Sequence, residues 1–316
     1  MVPNIADLSV IIVNFNTRDF VNICLSSIYA RPFVGKLEVI VVDNDSRDGS
    51  VEMLRSKFKD VRLILNRRNI GFAAANNQGA RIAAGEYFLL LNPDTELLGD
   101  ALNTLYLFIS SHPNVAIVAP LLVDESHSNQ ASCRKFPTIW QEVVKAVGAP
   151  RYLPNHPIFG FSSISDYEND CEIDQPQGAC LLVRKDALDS GIVFDEQFYM
   201  YYEEVDLCYR IKKRGWGIWF VPGAHVVHFS GKSFSRNMPR MIFHIYRSKF
   251  LFFKKHHCFI RQVVIYLLTM YEMVYRCVVY SMMGLLRPER RKECTLRIKG
   301  YLRVLIGFST GRLSES

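Results

Sequence analysis

Three uninterrupted apolar runs, each ending in Asn or Asp, constrain this chain most: SVIIVN (9–14), VIVVDND (39–45) and YFLLLNPD (87–94). Runs rich in Val, Ile and Leu without polar alternation read as strands covered on both faces. Between them lie segments of helical spacing: DFVNICLSSIYA (19–30), DGSVEMLRSKF (48–58) and the Ala-rich FAAANNQGARIAAG (72–85), which Gly85 is expected to stop. VRLILN (61–66) and VAIVAPLLV (115–123) add strands, and ALNTLYLFISSH (101–112) adds a helix. The alternation predicts an α/β fold with a mostly parallel sheet. The carboxyl ends of parallel strands share one edge, where open α/β folds bind ligands. Asn14 with Asn16, Asp43 with Asp45, and Asn92 with Asp94 are therefore expected at one crevice. Each cluster alone reads equally as a turn, since Asn, Pro and Asp are ordinary turn formers.

Downstream, NRRNIGFAAANNQG (66–79) sets Arg67, Arg68 and Asn69 before Gly71 and a helix start, an arrangement that suits a phosphate. Neither a G-x-G-x-x-G nor a P-loop pattern occurs, so a nucleotide would be held in another way. Residues 124–175 are polar, Pro-containing and irregular, and read as a mobile loop region; order resumes with GACLLVRKDAL (178–188). In FDEQFYMYYEEVDLCYRIKKRGW (194–216), Glu203, Glu204 and Asp206 open a helical pattern. Acids there also suit the helix dipole. HVVHFSGKS (225–233) supplies His225 and His228 after an apolar strand, as candidate metal ligands.

SVIIVNFN, VIVVDNDSRDGS, NIGFAAANNQG, LLLNPDTEL and FYMYYEEVDLCYRIKKRGW, in this order, resemble the GT-A glycosyltransferases of family 2, close to the bacterial rhamnosyltransferases that build surface polysaccharides. The resemblance covers roughly residues 8–235. It implies a GT-A catalytic domain over 1–235, followed by a helical C-terminal region over 236–316. By the resemblance, Asn14 and Asp43 contact the nucleotide base, and Asn69, Gly71 and Phe72 line the ribose and diphosphate. Asn16, Asp45, Arg68, Asn76, Asn92 and Gly178 belong to the same sugar-nucleotide site. Asn92-Pro93-Asp94 takes the D-x-D position, with Asp94 as metal ligand and Asn92 in place of the first aspartate. His228 matches the late metal-binding histidine. Glu203-Glu204 takes the Glu-Asp position, with Glu204, or else Glu203, as base. Asp206 and Trp216 fall to the acceptor side or support the base.

The implied reaction moves a sugar, rhamnose first, from a nucleotide-diphospho-sugar to a glycan or lipid-linked acceptor with inversion. Mg²⁺ or Mn²⁺, both suited to hard oxygen ligands, would offset the leaving charge. dTDP-rhamnose is the favoured donor, with UDP- and GDP-sugars open. Two other readings compete. A sugar nucleotidyltransferase would need a Gly-rich loop after the first strand, and NFNTRDFVN has no glycine. A non-catalytic assembly protein would not need Asp94, Glu204 and His228.

Charge is split along the chain. Residues 1–230 hold 21 Lys and Arg against 27 Asp and Glu, a balance of −6; residues 231–316 hold 17 against 4, a balance of +13. A basic tail on an acidic body points to an anionic partner surface, read here as a membrane and not a nucleic acid. The apolar run 263–286 carries only Glu272 and Arg276 as charges. It could lie in a membrane interface, span, or form a homodimer contact. Eight cysteines without a C-x-x-C pair, and no signal peptide before the first strand, suggest a reducing cytoplasmic setting, at the inner membrane face.

Overall fold

The computed structural model describes residues 6–146, 168–229 and 237–310. In chain order the elements are β1 (Leu8–Asn14), α1 (Arg18–Tyr29), β2 (Leu37–Asp43), α2 (Ser50–Lys57), β3 (Arg62–Leu65), α3 (Phe72–Ile82), β4 (Tyr87–Leu91), β5 (Thr95–Leu98), α4 (Ala101–Ser111), β6 (Val115–Val123), β7 (Cys133–Arg134), α5 (Ile139–Ala146), β8 (Cys171–Glu172), β9 (Gln175–Pro176), β10 (Cys180–Arg184), α6 (Glu203–Lys213), β11 (Gly217–His228), α7 (Met238–His256), α8 (Phe259–Leu286) and α9 (Arg291–Ser309). They fall into two compact units. One gathers the described parts of 1–136, 161–199 and 203–230; the other those of 137–160 and 231–316, with Met200–Tyr202.

The first unit is built on a sheet of order β3-β2-β1-β4-β10-β6-β11-β5, with β8 on β11. The expected parallel block β3-β2-β1-β4 is there, and β6 and β11 run the same way. Strands β5, β8 and β10 run against them. Every residue of β1, β4 and β6 is buried, as uninterrupted apolar runs require. One core cluster holds Ile11, Ile40, Phe88, Leu181 and Phe220; the other holds Val10, Val39, Leu89, Leu105 and Leu182. Alternate residues of each strand thus serve opposite layers.

Three expectations change. Strand β5 was hidden in the turn after β4, because four residues of TELL leave too short a period to read. Helix α3 ends at Ile82, where Ala83 turns extended, before Gly85 is reached. Gly85 serves a close approach instead: its N–H donates to Ser9 Oγ at 2.8 Å, and a Cβ would lie 2.6 Å from that oxygen. The expected loop region 124–175 holds β7, α5 and β8; its residues 147–167 lie outside the described ones. All eight cysteines are free thiols.

The second unit packs α5, α7, α8 and α9 around Ile242, Phe243, Met273, Tyr301, Val304 and Phe308. A charge network lies inside it. Lys249 Nζ sits 2.8 Å from Glu142 Oε2 and 3.6 Å from Glu272 Oε2. Tyr246 Oη donates to Glu272 Oε1 at 2.7 Å, and Arg276 Nε donates to the same oxygen at 2.8 Å. Burial would raise the Glu142 pKa, but the charges of Lys249 and Lys145 overcome it and hold it at about 2. The stabilisation from Glu142 is therefore present above pH 4.5, its unfolded value, and is lost as pH falls toward 2.

Removing one partner of a buried ion pair leaves the others uncompensated, at a cost of about 3–5 kcal/mol. Lys249→Ala should lower unfolding stability by that amount in urea at neutral pH, with the loss shrinking below pH 4. A variant within about 1 kcal/mol of the parent would show that the network contributes little.

Candidate active site

The strand register makes the expected edge. Asn14 pairs with Asp43, and Ile12 with Leu91, so β1, β2 and β4 end side by side. Asn14 has no exposed surface. Its amide donates to Asp43 Oδ2 at 2.7 Å and to Ser46 Oγ at 3.0 Å, and its carbonyl accepts from Thr17 Oγ1 at 2.6 Å. Asn14 thus ties β1 to the loop after β2 and to the start of α1. Asp43, 2% exposed, also accepts from the Ser46 N–H at 2.9 Å. A carboxylate can take further donors, so Asp43 keeps acceptor capacity at the edge. Asn16 (φ 54°) and Asp45 (φ 71°) adopt the left-handed conformation that Asn and Asp tolerate. Asn16 Oδ1 accepts from the Arg47 N–H at 2.8 Å, tying the two loops together, and Asp45 stays half-buried beside Arg47.

Gly71 is required where it stands. Its φ is +94°, and a Cβ there would lie 2.7 Å from the Tyr199 ring and 2.8 Å from its carbonyl oxygen. Asn69 Oδ1 accepts from the Gly71 N–H at 2.9 Å and from Tyr199 Oη at 3.1 Å. The Phe72 N–H donates to Tyr199 O at 2.8 Å. Two N–H groups expected to face a phosphate are thus committed to Asn69 and Tyr199. Arg68 remains exposed on this loop. Asn76 is 1% exposed, and its amide donates back to Phe72 O at 3.0 Å within α3. Asn77, unnoticed in the sequence, ties α3 to Phe194 through its amide and carbonyl.

The other half of the site comes from strand pairing. β5 lies antiparallel to β11 with Thr95 opposite His228, and the Phe229 N–H donates to Asp94 O at 3.0 Å. Asp94 Oδ1 and His228 Nε2 come within 3.7 Å. His225, on the same strand, is exposed and apart from them. A tight turn, closed by the Ala179 N–H on Gln177 O at 2.9 Å, runs alongside. Ala179 O accepts from the Asn92 N–H at 2.9 Å, Gln177 Nε2 lies 3.4 Å from His228 Nδ1, and a Cβ on Gly178 would sit 3.2 Å from Glu204 Cβ and Cγ. The turn therefore joins Asn92, His228 and Glu204. A cleft of about 390 Å³, lined by Asp124, Glu125, Ser126, Gln130, His228 and Phe229, opens at this point.

Burial pushes the His228 pKa below its usual value, against the pull of the Asp94 charge. A neutral imidazole is the form that binds metal. Among the described residues no group of three His, Cys, Asp or Glu converges. Two protein donors fit a hard divalent cation that takes its remaining ligands from a diphosphate and water.

Glu203, Glu204 and Asp206 open α6 but have different surroundings. Asp206 is fully buried and paired with Arg210 Nε at 2.8 Å. That pairing places Asp206 inside the fold beside the pair of glutamates rather than at an open surface. Trp216 lies beyond the helix. It follows the far end of α6, about 15 Å from the helix start at 1.5 Å per residue, and packs on the core. Glu204 is half-buried against Gly178. Glu203 is 6% exposed, and its Oε2 has no hydrogen-bond partner among the described residues. Burial first, and the neighbouring Glu204 charge second, push its pKa well above the carboxylate range. The residues unnoticed in the sequence, Gln177 and Gln130 beside His228 and Tyr199 beside Asn69, reach their places through long-range contacts, and no spacing signals them.

Residues 9–188 match the family model described as glycosyl transferase family 2. The N-acetylglucosaminyl-diphospho-decaprenol L-rhamnosyltransferase of Mycobacterium tuberculosis is 28% identical over 232 residues, covering 70% of this chain and 76% of that protein. Rhamnosyltransferase WbbL of Escherichia coli is 29% identical over 153 residues, 48% of this chain and 54% of its own length. Among solved structures, the mannosyltransferase of Pyrobaculum calidifontis in complex with GDP-Man and Mn²⁺ is similar, with a TM-score of 0.56 at 16% identity over 99% of this chain and 88% of that one. That likeness gives the fold, which is of the GT-A type.

A raised carboxyl pKa makes the folded state lose stability as pH rises from 4.5, the unfolded value, through the folded one. Glu203→Gln, which mimics the neutral acid, should melt above the parent at pH 8, and the two should converge as pH falls toward 5. Parallel melting curves at both pH values would place an ionised, compensated carboxylate at position 203.

Proposed function

Because the chain belongs to glycosyl transferase family 2, we propose that it is a metal-assisted, inverting transferase. It moves rhamnose from dTDP-rhamnose to a glycan or lipid-linked acceptor in cell-surface polysaccharide synthesis. The observation that carries this reading is the convergence of Asp94 and His228, 3.7 Å apart, on the turn that also seats Glu204. The two relatives named as rhamnosyltransferases, one of them with a diphospho-decaprenol acceptor in its name, favour that sugar and a lipid-linked acceptor.

Asp94 and His228 would hold Mg²⁺ or Mn²⁺, which when bound offsets charge on the departing diphosphate. The acceptor oxygen bonds to the anomeric carbon as the bond from that carbon to the diphosphate oxygen breaks. Glu204, half-buried beside Gly178, takes the hydroxyl proton. Glu203, buried with no cation against it among the described residues, is the neutral member and leaves Glu204 as the charged one. A single base on the face opposite the leaving group gives inversion.

Donor hydrolysis and transfer with a panel of dTDP-, UDP- and GDP-sugars test this directly. Glu204→Gln should keep donor affinity and lose transfer about a hundredfold or more, as for removal of a general base. Asp94→Ala should lose the Mn²⁺-dependent part of donor affinity. Unchanged turnover in Glu204→Gln, or a larger loss in Glu203→Gln, would reassign the base.

Membrane attachment forms the second part of the proposal. Helix α8 is about 42 Å long at 1.5 Å per residue. It exposes Val263, Leu267, Tyr271, Val274, Val278 and Met282 along one stripe. Glu272 faces inward at 4% exposure, so the helix keeps its charge inside the second unit and its apolar side out. Exposed basic residues flank both ends: Lys254, Lys255 and Arg261 at the start, Arg287, Arg290 and Arg291 at the finish. A helix lying in the cytoplasmic membrane interface brings both basic ends to anionic headgroups at once. The chain should pellet with anionic liposomes and remain partly bound at high salt. A Leu267→Glu, Val274→Glu, Val278→Glu variant should stay in the supernatant with unchanged melting. A detergent-insensitive dimer without liposome binding would give the stripe to a second copy instead.

A further inference from the structure

A neutral imidazole carries one proton, so only one His228 nitrogen can offer a lone pair. Nε2 faces Asp94 Oδ1 at 3.7 Å, and Nδ1 faces the end of the Gln177 side chain, whose nitrogen lies 3.4 Å away in the setting drawn. We infer that Gln177 is a positioning residue: its amide oxygen accepts the proton of Nδ1 and so leaves the Nε2 lone pair toward the cation shared with Asp94. The inference rests on the metal-assisted reading above.

The two ends of a Gln amide have the same shape, and a half-turn of the group exchanges them. Chemistry chooses between the two settings. With the amide nitrogen donating to Nδ1, the His228 proton sits on Nε2, and an N–H points at Asp94 where a ligand is needed. With the oxygen toward Nδ1, the ring donates there and both Asp94 and Nε2 present lone pairs to one point. Metal-bound histidines usually donate their second N–H in this way, which fixes the ring and makes it a better ligand.

The surroundings hold Gln177 to the task. Its N–H donates to Ser132 O at 2.7 Å, and its carbonyl accepts from the Ala179 N–H at 2.9 Å. The backbone is thereby fixed on both sides of the side chain. From the other direction, Gln130 Nε2 donates to His228 O at 2.8 Å. The ring is 7% exposed, so bulk water does not replace the amide.

Two measurements on the full chain decide it. In protein labelled with ¹⁵N-histidine, and with His228 assigned by difference from His228→Asn, Nδ1 should carry the proton in the parent above pH 8. Gln177→Met, similar in shape without the acceptor, should shift the proton toward Nε2. Finding the parent proton on Nε2 would overturn the inference. Mn²⁺ titration without nucleotide, followed by the EPR signal of free Mn²⁺, gives the consequence. Gln177→Met should weaken binding about 10- to 100-fold, and Gln177→Glu, which can only accept, should retain it. Equal affinity in Gln177→Met and the parent, with Asp94→Ala impaired, would sink the role of Gln177 alone. Unchanged affinity in Asp94→Ala would instead remove the metal reading beneath it.

Discussion

The antiparallel pairing of β5 with the end of β11 is the contact on which the rest of the site depends. Asp94 closes a turn and His228 closes a strand far along the chain; the pairing of Thr95–Leu98 with β11 brings them together. So short a strand needs anchoring. Thr95, with no exposed surface, donates to Asn92 O at 2.7 Å, and the Leu97 N–H donates to Ser27 Oγ at 3.0 Å. These bonds define the Asn92-Pro93-Asp94 turn before any ligand arrives. A site whose donors are already held loses less free energy in ordering them on binding.

The start of α6 shows how differently one acidic cluster can be used. Asp206 is buried and compensated by Arg210, so it is structural. Glu203 is buried beside another carboxylate with no cation against it among the described residues, and the cost of desolvating a charge pushes its pKa up. Glu204 is half-buried against Gly178, where a Cβ would come within 3.2 Å of its side chain. Division of roles between adjacent carboxyls thus follows from burial and from one small residue opposite them.

In the second unit, polar and apolar surfaces are placed against the usual order. Glu142, Lys249 and Glu272 lie inside, satisfied by one another, while α8 presents a long apolar stripe outward. Internal charges are tolerated there because each has a partner within hydrogen-bond or ion-pair reach. An exposed apolar stripe of that extent marks a surface that meets something other than water.

Much of this was legible in the sequence. Continuous apolar runs such as VIVVD and YFLLL announce strands buried on both faces, and their polar ends predict a shared edge, because side-chain burial writes itself locally into hydrophobic pattern. The motifs around Asn14, Asp43, Gly71, Asn92 and Glu203 likewise identified the family. What the sequence could not decide was which polar residues are available. Asn14 and Asn76 are buried with internal hydrogen bonds, and Asp206 is buried against Arg210, none of which the spacing announces. Gln177 gave no signal and stands beside His228. Local pattern determines secondary structure and the identity of the edge. The tertiary structure alone decides exposure, pairing and proton placement, because each depends on atoms contributed by distant parts of the chain.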